Sequence, residues 1–320
     1  MFILASGDYV PARVVDNAYF SRSTGRPEDW FAQRTGIQER RRAAADENLN
    51  TMAIAAVQAL AAGPGRPSLR DVDLIVGASY TPHDTIGTLA HVIQRHLMLQ
   101  NTRALYLSTA CSSFLDAMDV AAAYFGAGRA KKALIVAAEH NSAFSRDEDD
   151  RSGHLWGDGA AAVLLGVEAQ DDDRRAPFEV LDVHTEAMAD QGHGPDAISL
   201  NPRTGGLTMP HGKEVFARAC QEMAFATRDI LARNQLTIDD VRLLVPHQAN
   251  RRIIDHVAGE LGLPPGRAAI TIDKLGNTGC ASVAITLHRY AHVVEPGQYA
   301  VLVTFGGGYS VGAALLRRVA

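Results

Sequence analysis

The hexapeptide DVDLIV, residues 71–76, has a counterpart in DVRLLV, residues 240–245. The offset of 169 residues recurs between CSSF at 111 and CASV at 280. ALIV at 133 and AVLV at 300 follow at an offset of 167, and GAAAVLL (159–165) and GAALL (312–316) then come in the same order. The apolar runs among them have the length of buried strands. Between the runs lie amphipathic stretches such as TMAIAAVQALAAG, KEVFARACQEMAFATRDILARN and NRRIIDHVAGELG. Strands alternating with helices predict an α/β fold, and a long-period duplication predicts two similar layered halves about a pseudo-twofold axis. The charged, aperiodic segment EAQDDDRRAP (168–177) reads as the linker. The halves are therefore expected at 1–167 and 178–320.

Composition narrows the function classes. Hydrophobic residues at 47% and charged residues at 21% describe an ordinary globular protein. A formal charge of −5 gives no basic field for nucleic acid. Three widely spaced cysteines, Cys111, Cys220 and Cys280, make neither a disulfide framework nor a zinc site. The N-terminus lacks the basic start and long apolar region of a signal peptide, and no run approaches the ~20 apolar residues that span a bilayer. A reducing cytoplasm is the expected compartment.

Three turns carry possible chemistry. Cys111 directly precedes a helical pattern, with apolar residues at Phe114, Leu115, Met118, Ala122 and Phe125, and Gly126 and Gly128 at its end. A helix N-terminus favours a thiolate, so the thiol is expected below the ~8.5 of free cysteine. The same N–H groups can hold an oxyanion. A buried small hydrophobe is the competing reading. His247, in LLVPHQAN, stands at the end of an apolar strand, where α/β proteins place chemistry. Asn277, in DKLGNTGCASV, lies between glycines in a tight turn, where its amide could cap the next helix or donate to developing negative charge. The three glycines of LVTFGGGYSVG allow close backbone approach but lack the spacing of a phosphate-binding loop. The pseudo-twofold axis would bring the Cys111 and Asn277 turns face to face, with the His247 strand end beside them.

With WFAQRTGIQERRRAA (30–44), TACSSF, WGDGAAAVLL, VPHQANRRII, GNTGCASV and FGGGYSVGAALL, the chain resembles the β-ketoacyl-acyl carrier protein synthase III group of the thiolase superfamily. The resemblance runs from residue 8 to the C-terminus. It implies a layered αβαβα core and a catalytic triad of Cys111, His247 and Asn277. It also implies an oxyanion hole from the backbone N–H groups of Cys111 and Gly306. The implied reaction loads an acyl group from a coenzyme A thioester onto Cys111 and condenses it with a decarboxylating malonyl thioester. Coenzyme A or phosphopantetheine contacts are implied for Trp30, Arg34, Arg151, Asn250 and Phe305, and carrier-protein docking for Arg251 and Arg252. No tightly bound cofactor and no metal are implied; the substrates are coenzyme A thioesters and a phosphopantetheinyl carrier protein, and the assembly is a homodimer with RALYLS (103–108) as an interface strand.

The chain also departs from the group. Ser112-Ser113-Phe114 replaces the Ala-Gly-Phe common in chain-initiating members. Ile86 stands where an aromatic side chain lines the acyl pocket across the dimer interface, and residues 184–208 are short and atypical. More room at Ile86 favours a longer, branched or functionalised acyl group and a specialised biosynthetic pathway as readily as fatty-acid synthesis. Competing readings are an acyltransferase to an alcohol, amine or thiol, a cysteine hydrolase, and a non-catalytic partner subunit. Retention of Cys111, His247 and Asn277 together favours condensation.

Overall fold

A computed structural model of the chain describes residues 1–169, 178–201, 203 and 206–319. Most of the expected linker, 170–177, lies outside the described residues. The strands of the N-terminal half are β1 (Phe2–Tyr9), β2 (Arg13–Asp16), β3 (Glu39–Arg42), β4 (Leu74–Ala78), β5 (Arg103–Leu107), β6 (Lys132–Glu139) and β7 (Gly159–Gly166). Those of the C-terminal half are β8 (Phe178–Ala187), β9 (Ser199–Asn201), β10 (Gly206–Thr208), β11 (Val241–Pro246), β12 (Tyr299–Gly306) and β13 (Ser310–Arg318). The helices are α1 (Asn17–Thr24), α2 (Glu28–Thr35), α3 (Leu49–Ala62), α4 (Leu89–His96), α5 (Ser113–Gly126), α6 (Gly212–Arg233), α7 (Arg251–Leu261), α8 (Ile272–Leu275) and α9 (Ala281–Tyr290).

The sequence repeat reappears as a repeat of strand pairing. A nine-stranded sheet runs β11-β12-β13-β8-β1-β7-β6-β4-β5. In the first half β4 and β6 pair parallel, while β6–β7 and β7–β1 pair antiparallel. In the second half β11 and β12 pair parallel, while β12–β13 and β13–β8 pair antiparallel. Each matched sequence pair thus occupies the same place in its half. The halves meet where Phe2 and Ile3 of β1 pair with Glu179 and Phe178 of β8. β5 adds an outer edge to the first half, parallel to β4.

Layering follows from which faces are apolar. β6 and β7 are buried at every position, as strands covered on both faces must be. Helix α5 packs on β4, β6, β8 and β13, and α9 on β1, β7, β11 and β12, so both helices lie between the two halves of the sheet. Phe114, Leu115 and Met118 of α5 share one core with Val283, Ile285 and Leu287 of α9. Outside, α3 covers β1, β6 and β7, and α6 covers β12 and β13. The order of layers is αβαβα, the thiolase-like fold. No helix among the described residues is long and apolar enough to cross a membrane.

The α3 layer lies so close to β1 that one position tolerates no side chain. A Cβ on Gly7 would sit 2.3 Å from the Leu60 backbone nitrogen and 2.9 Å from the Ala56 carbonyl oxygen. Helix backbone cannot rotate away as a side chain can. Gly7→Ala is therefore expected to lower the unfolding free energy by about 3 kcal/mol, the upper end for overpacking, as read from urea titration.

Candidate active site

The Cys111 turn is held by its own serines. Ala110, just before Cys111, has φ +50°, a left-handed conformation unfavourable for a residue with a Cβ. Ser113 Oγ donates to the Ala110 carbonyl at 2.6 Å and accepts from the Thr109 N–H at 2.9 Å, closing the turn around that residue. Ser112 Oγ donates to the Ser310 carbonyl at 3.2 Å and accepts from Thr304 Oγ1 at 3.1 Å. Ser310 Oγ returns a bond to the Thr109 carbonyl at 2.9 Å. The two serines thus fasten the Cys111 turn to the β12–β13 hairpin, a function that fits their complete burial. Gly306, at the end of β12, comes so close that a Cβ there would lie 2.8 Å from Cys111 N.

His247 continues the line of β11, its N–H donating to the Val303 carbonyl at 2.8 Å. Gln248 pins this strand end. Its Nε2 donates to the Pro246 and Ala269 carbonyls, and its Oε1 accepts from the Thr271 and Ile272 N–H groups. His247 Nδ1 lies 2.7 Å from Ser282 Oγ in the first turn of α9. The Gln248 N–H donates to that same oxygen at 3.4 Å. A serine hydroxyl that donates to Nδ1 is paired with the tautomer carrying its proton on Nε2. Asn277 Oδ1 accepts from the Gly279 N–H at 2.9 Å, so its Nδ2 donors are the free end of the amide.

Burial dominates the electrostatics. The Cys111 thiol is raised to about 12, first by loss of water and then by the Glu139 carboxylate. The direction is opposite to the lowering expected from a helix N-terminus, and a thiol raised this far is neutral at pH 7. His247 is lowered to about 4 by burial, so its ring is neutral at pH 7. Glu139, at the end of β6, is raised to about 7 by burial despite accepting from Ser79 Oγ, the Tyr80 and Thr81 N–H groups and Thr81 Oγ1. Sequence reasoning missed it, although ALIVAAEH shows the same polar end of an apolar strand that singled out His247.

A cavity of about 410 Å3 opens on Cys111, lined by Tyr80, Trp156, Ile198, Leu207 and Tyr309 among others. Trp156 bridges to Asn277, so this wall joins the cysteine turn to the asparagine turn, while His247 and Asn277 themselves do not line this cavity. Among the described residues no cluster of three or more histidine, cysteine or acidic side chains could hold a metal ion.

Two family models match, 3-oxoacyl-[acyl-carrier-protein] synthase III over residues 106–186 and its C-terminal counterpart over 231–318. The chain is 36% identical to the β-ketoacyl-[acyl-carrier-protein] synthase III of Rhodospirillum centenum, over 98% of both chains. The chain belongs to the β-ketoacyl-acyl carrier protein synthase III family. It is an acyltransferase with ketosynthase condensing activity, of the class that serves fatty-acid biosynthesis, and the family uses coenzyme A and carrier-protein thioesters. The Aquifex aeolicus VF5 synthase III superposes with a TM-score of 0.90 at 31% identity, covering 99% of each chain. A priming β-ketosynthase from the R1128 polyketide pathway superposes at 0.88 and 30% identity, covering 99% of this chain and 96% of that one.

The remaining expected site residues of this synthase fall into distinct places. Trp30 stacks edge-on with Phe31 and His154, and the Arg34 guanidinium lies 4.8 Å from its ring centre. Arg151 borders a second cavity with Arg146 and Met209. Asn250 is occupied by structure: its Oδ1 caps α7 at Arg252 N, and its Nδ2 donates to the Arg34 carbonyl. Arg251 pairs with Asp255, and Arg252 lies over Phe216; both are exposed on α7. Phe305 is buried behind Tyr309, 5.1 Å between ring centres, and does not itself line the Cys111 cavity. Ile86 is 87% exposed and lines no part of its own chain's cavity.

Two measurements check the electrostatics. Glu139→Gln removes a negative charge that raises the thiol, so the Cys111 pKa is expected to fall by about one unit, read from the pH dependence of iodoacetamide alkylation. The amide NH2 must then face N–H donors, at a stability cost of about 1–3 kcal/mol. His247 and His154 are both depressed to about 4 by burial. A histidine whose folded value lies below its unfolded value stabilises the fold at high pH and loses that contribution as pH falls. The unfolding free energy should thus drop between pH ~6.5 and ~4 by on the order of 3 kcal/mol per histidine. Urea titrations of His247→Gln across that window should show a shallower loss.

Proposed function

We propose that Cys111, His247 and Asn277 carry the condensation in two half-reactions, and that the acyl group is longer, branched or functionalised. In the first, Cys111 sulfur attacks the carbonyl of an acyl-coenzyme A. The tetrahedral oxyanion is held by the backbone N–H groups of Cys111 and Gly306, and the close packing of Gly306 on Cys111 supports that pairing. Collapse releases coenzyme A as the thiol, which carries away the proton that the cysteine gave up. In the second, a malonyl thioester breaks its carbon–carboxylate bond, CO2 leaves, and the electron pair becomes an enolate. His247 Nε2–H and the Asn277 amide donate to the enolate oxygen. The carbanion then attacks the acyl-cysteine carbonyl, the tetrahedral intermediate collapses with departure of the Cys111 sulfur, and that thiolate takes one proton from solvent to restore the resting thiol.

What supports this reading is the geometry of the two donors: His247 Nδ1 is engaged by Ser282 Oγ at 2.7 Å and Asn277 Oδ1 by the Gly279 N–H at 2.9 Å, so Nε2 and Nδ2 are the ends left to act. A histidine lowered to about 4 is a neutral donor, the partner that an asparagine amide can match, because neither has to transfer a proton. A pure acyl transfer to an alcohol would need no such second donor. The malonyl group comes on a carrier protein, with Arg251 and Arg252 as the basic face that meets it, and Trp30, Arg34 and Arg151 bind the coenzyme. The free edge of β5 and the exposed Ile86 are the parts a second copy would cover, and a homodimer would let Ile86 widen the partner's acyl pocket.

Intact mass after incubation with an acyl-coenzyme A panel should show one acyl mass on wild type and none on Cys111→Ala. Release of 14CO2 from a carboxyl-labelled malonyl carrier protein should follow only when both substrates are present. His247→Ala and Asn277→Ala are expected to keep acyl loading and to lose at least ~100-fold in condensation, the scale of one or more lost oxyanion donors. Loading with efficient transfer to an alcohol but no CO2 would overturn the condensation reading.

A further inference from the structure

Tyr80 belongs to none of the roles above, yet it stands at the centre of the site. Its ring lines the cavity that opens on Cys111. Its far end rests on the GNTGC turn: a Cβ on Gly279 would lie 2.5 Å from the Tyr80 hydroxyl, 2.7 Å from its Cε1 and 2.7 Å from Glu139 Cγ. Gly279 has φ +56°, which the absence of a side chain also permits. The bare α-carbon is therefore the seat of the tyrosine ring. Both ends of Tyr80 are fixed. Its N–H donates to Glu139 Oε1 at 3.2 Å, and its hydroxyl donates to Asn141 Oδ1 at 2.8 Å. The Asn141 amide in turn donates to the carbonyls of Gly157 at 2.8 Å and Asn277 at 3.3 Å. A large side chain tied at both ends cannot swing away as a ligand enters.

We propose that the Tyr80–Gly279 pair is a selectivity filter of the acyl chamber: the ring is a fixed wall beside the nucleophile that limits the bulk of the acyl group Cys111 accepts. The inference rests on the proposed acyl loading of Cys111 and deepens it. In the proposed homodimer, Ile86 brought by a second copy and Tyr80 of this chain would act on different parts of the chamber. The chamber then favours acyl groups that are slim beside the thioester and extended beyond it, and rejects those carrying a ring or branch close to the carbonyl. Tyr80 is a specificity-determining residue that touches the acyl group, and its hydroxyl positions the turn that bears Asn277.

The test measures kcat/KM for acyl loading on Cys111 with straight-chain acyl-coenzyme A of two to ten carbons, isobutyryl-coenzyme A and benzoyl-coenzyme A. Tyr80→Ala and Tyr80→Thr are expected to raise the ratio of benzoyl and isobutyryl to straight-chain loading by about tenfold or more, the discrimination one misfitting group gives in a shaped pocket. Tyr80→Phe keeps the wall and is expected to hold the wild-type ratio within about twofold. Two variants of the wall guard against the loss of either one to misfolding. A ratio unchanged in Tyr80→Ala and Tyr80→Thr while acyl loading proceeds overturns the filter and leaves the condensation reading intact. A ratio altered as much by Tyr80→Phe overturns the ring as its cause. Wild type that takes no acyl mass from any donor overturns the loading step itself, and the filter with it.

Discussion

The structure depends on burying two helices, α5 and α9, between the two halves of one sheet. A helix covered on several sides must be apolar or small almost all round. Accordingly, every residue of α9 from Ala281 to Leu287 is buried, and α5 buries Ser113, Phe114, Leu115, Ala117, Met118 and Ala121. Each helix begins just after a cysteine, at equivalent points of the repeat. The pseudo-twofold axis relates these N-termini, and Trp156, which lines the cavity at Cys111, bridges to Asn277 in the turn before α9. The site is a consequence of the layer architecture, and its chemistry sits where two strand ends and two helix starts converge.

The same burial sets the resting protonation. Cys111 and Glu139 are pushed up and His247 is pushed down, each toward its neutral form and each with loss of water as the first cause. A site built this way does not store a thiolate–imidazolium pair of the kind a cysteine protease uses. It keeps a neutral thiol. It also keeps a neutral histidine that can donate without surrendering its proton.

Much of this was legible in the sequence, because it rests on patterns that short-range chemistry imposes. The repeat of apolar runs predicted the paired halves, and the polar ends of buried strands and the glycine turns pointed to His247 and Asn277. What was not legible depends on long-range approach. The thiol was expected low from its place before a helix, but its pKa follows from desolvation by distant layers. The packing of Phe305 on Tyr309 and the capping of α7 by the Asn250 side chain were not legible either. Ser112 and Ser113 read as anomalies beside the cysteine. Only the fold shows that one braces the left-handed Ala110 and the other reaches Thr304 and Ser310, more than 190 residues along the chain.

Those two serines and Tyr80 share a physical logic. Small residues after a buried nucleophile leave a turn free to adapt, whereas hydroxyls bonded across to β12 and β13 make it rigid. A tyrosine seated on a bare glycine makes the opposite wall rigid as well. In the proposed loading, an acyl group would be accommodated by fit more than by adjustment of the turn. Rigidity at the sulfur and the proposed room at the far end of the chamber are compatible. The first is fixed by bonds within one chain. The second, through the exposed Ile86, would be fixed by whatever surface a second copy brings to it. Selectivity near the thioester carbonyl and selectivity for chain length would accordingly be separable properties of this fold, able to change one at a time.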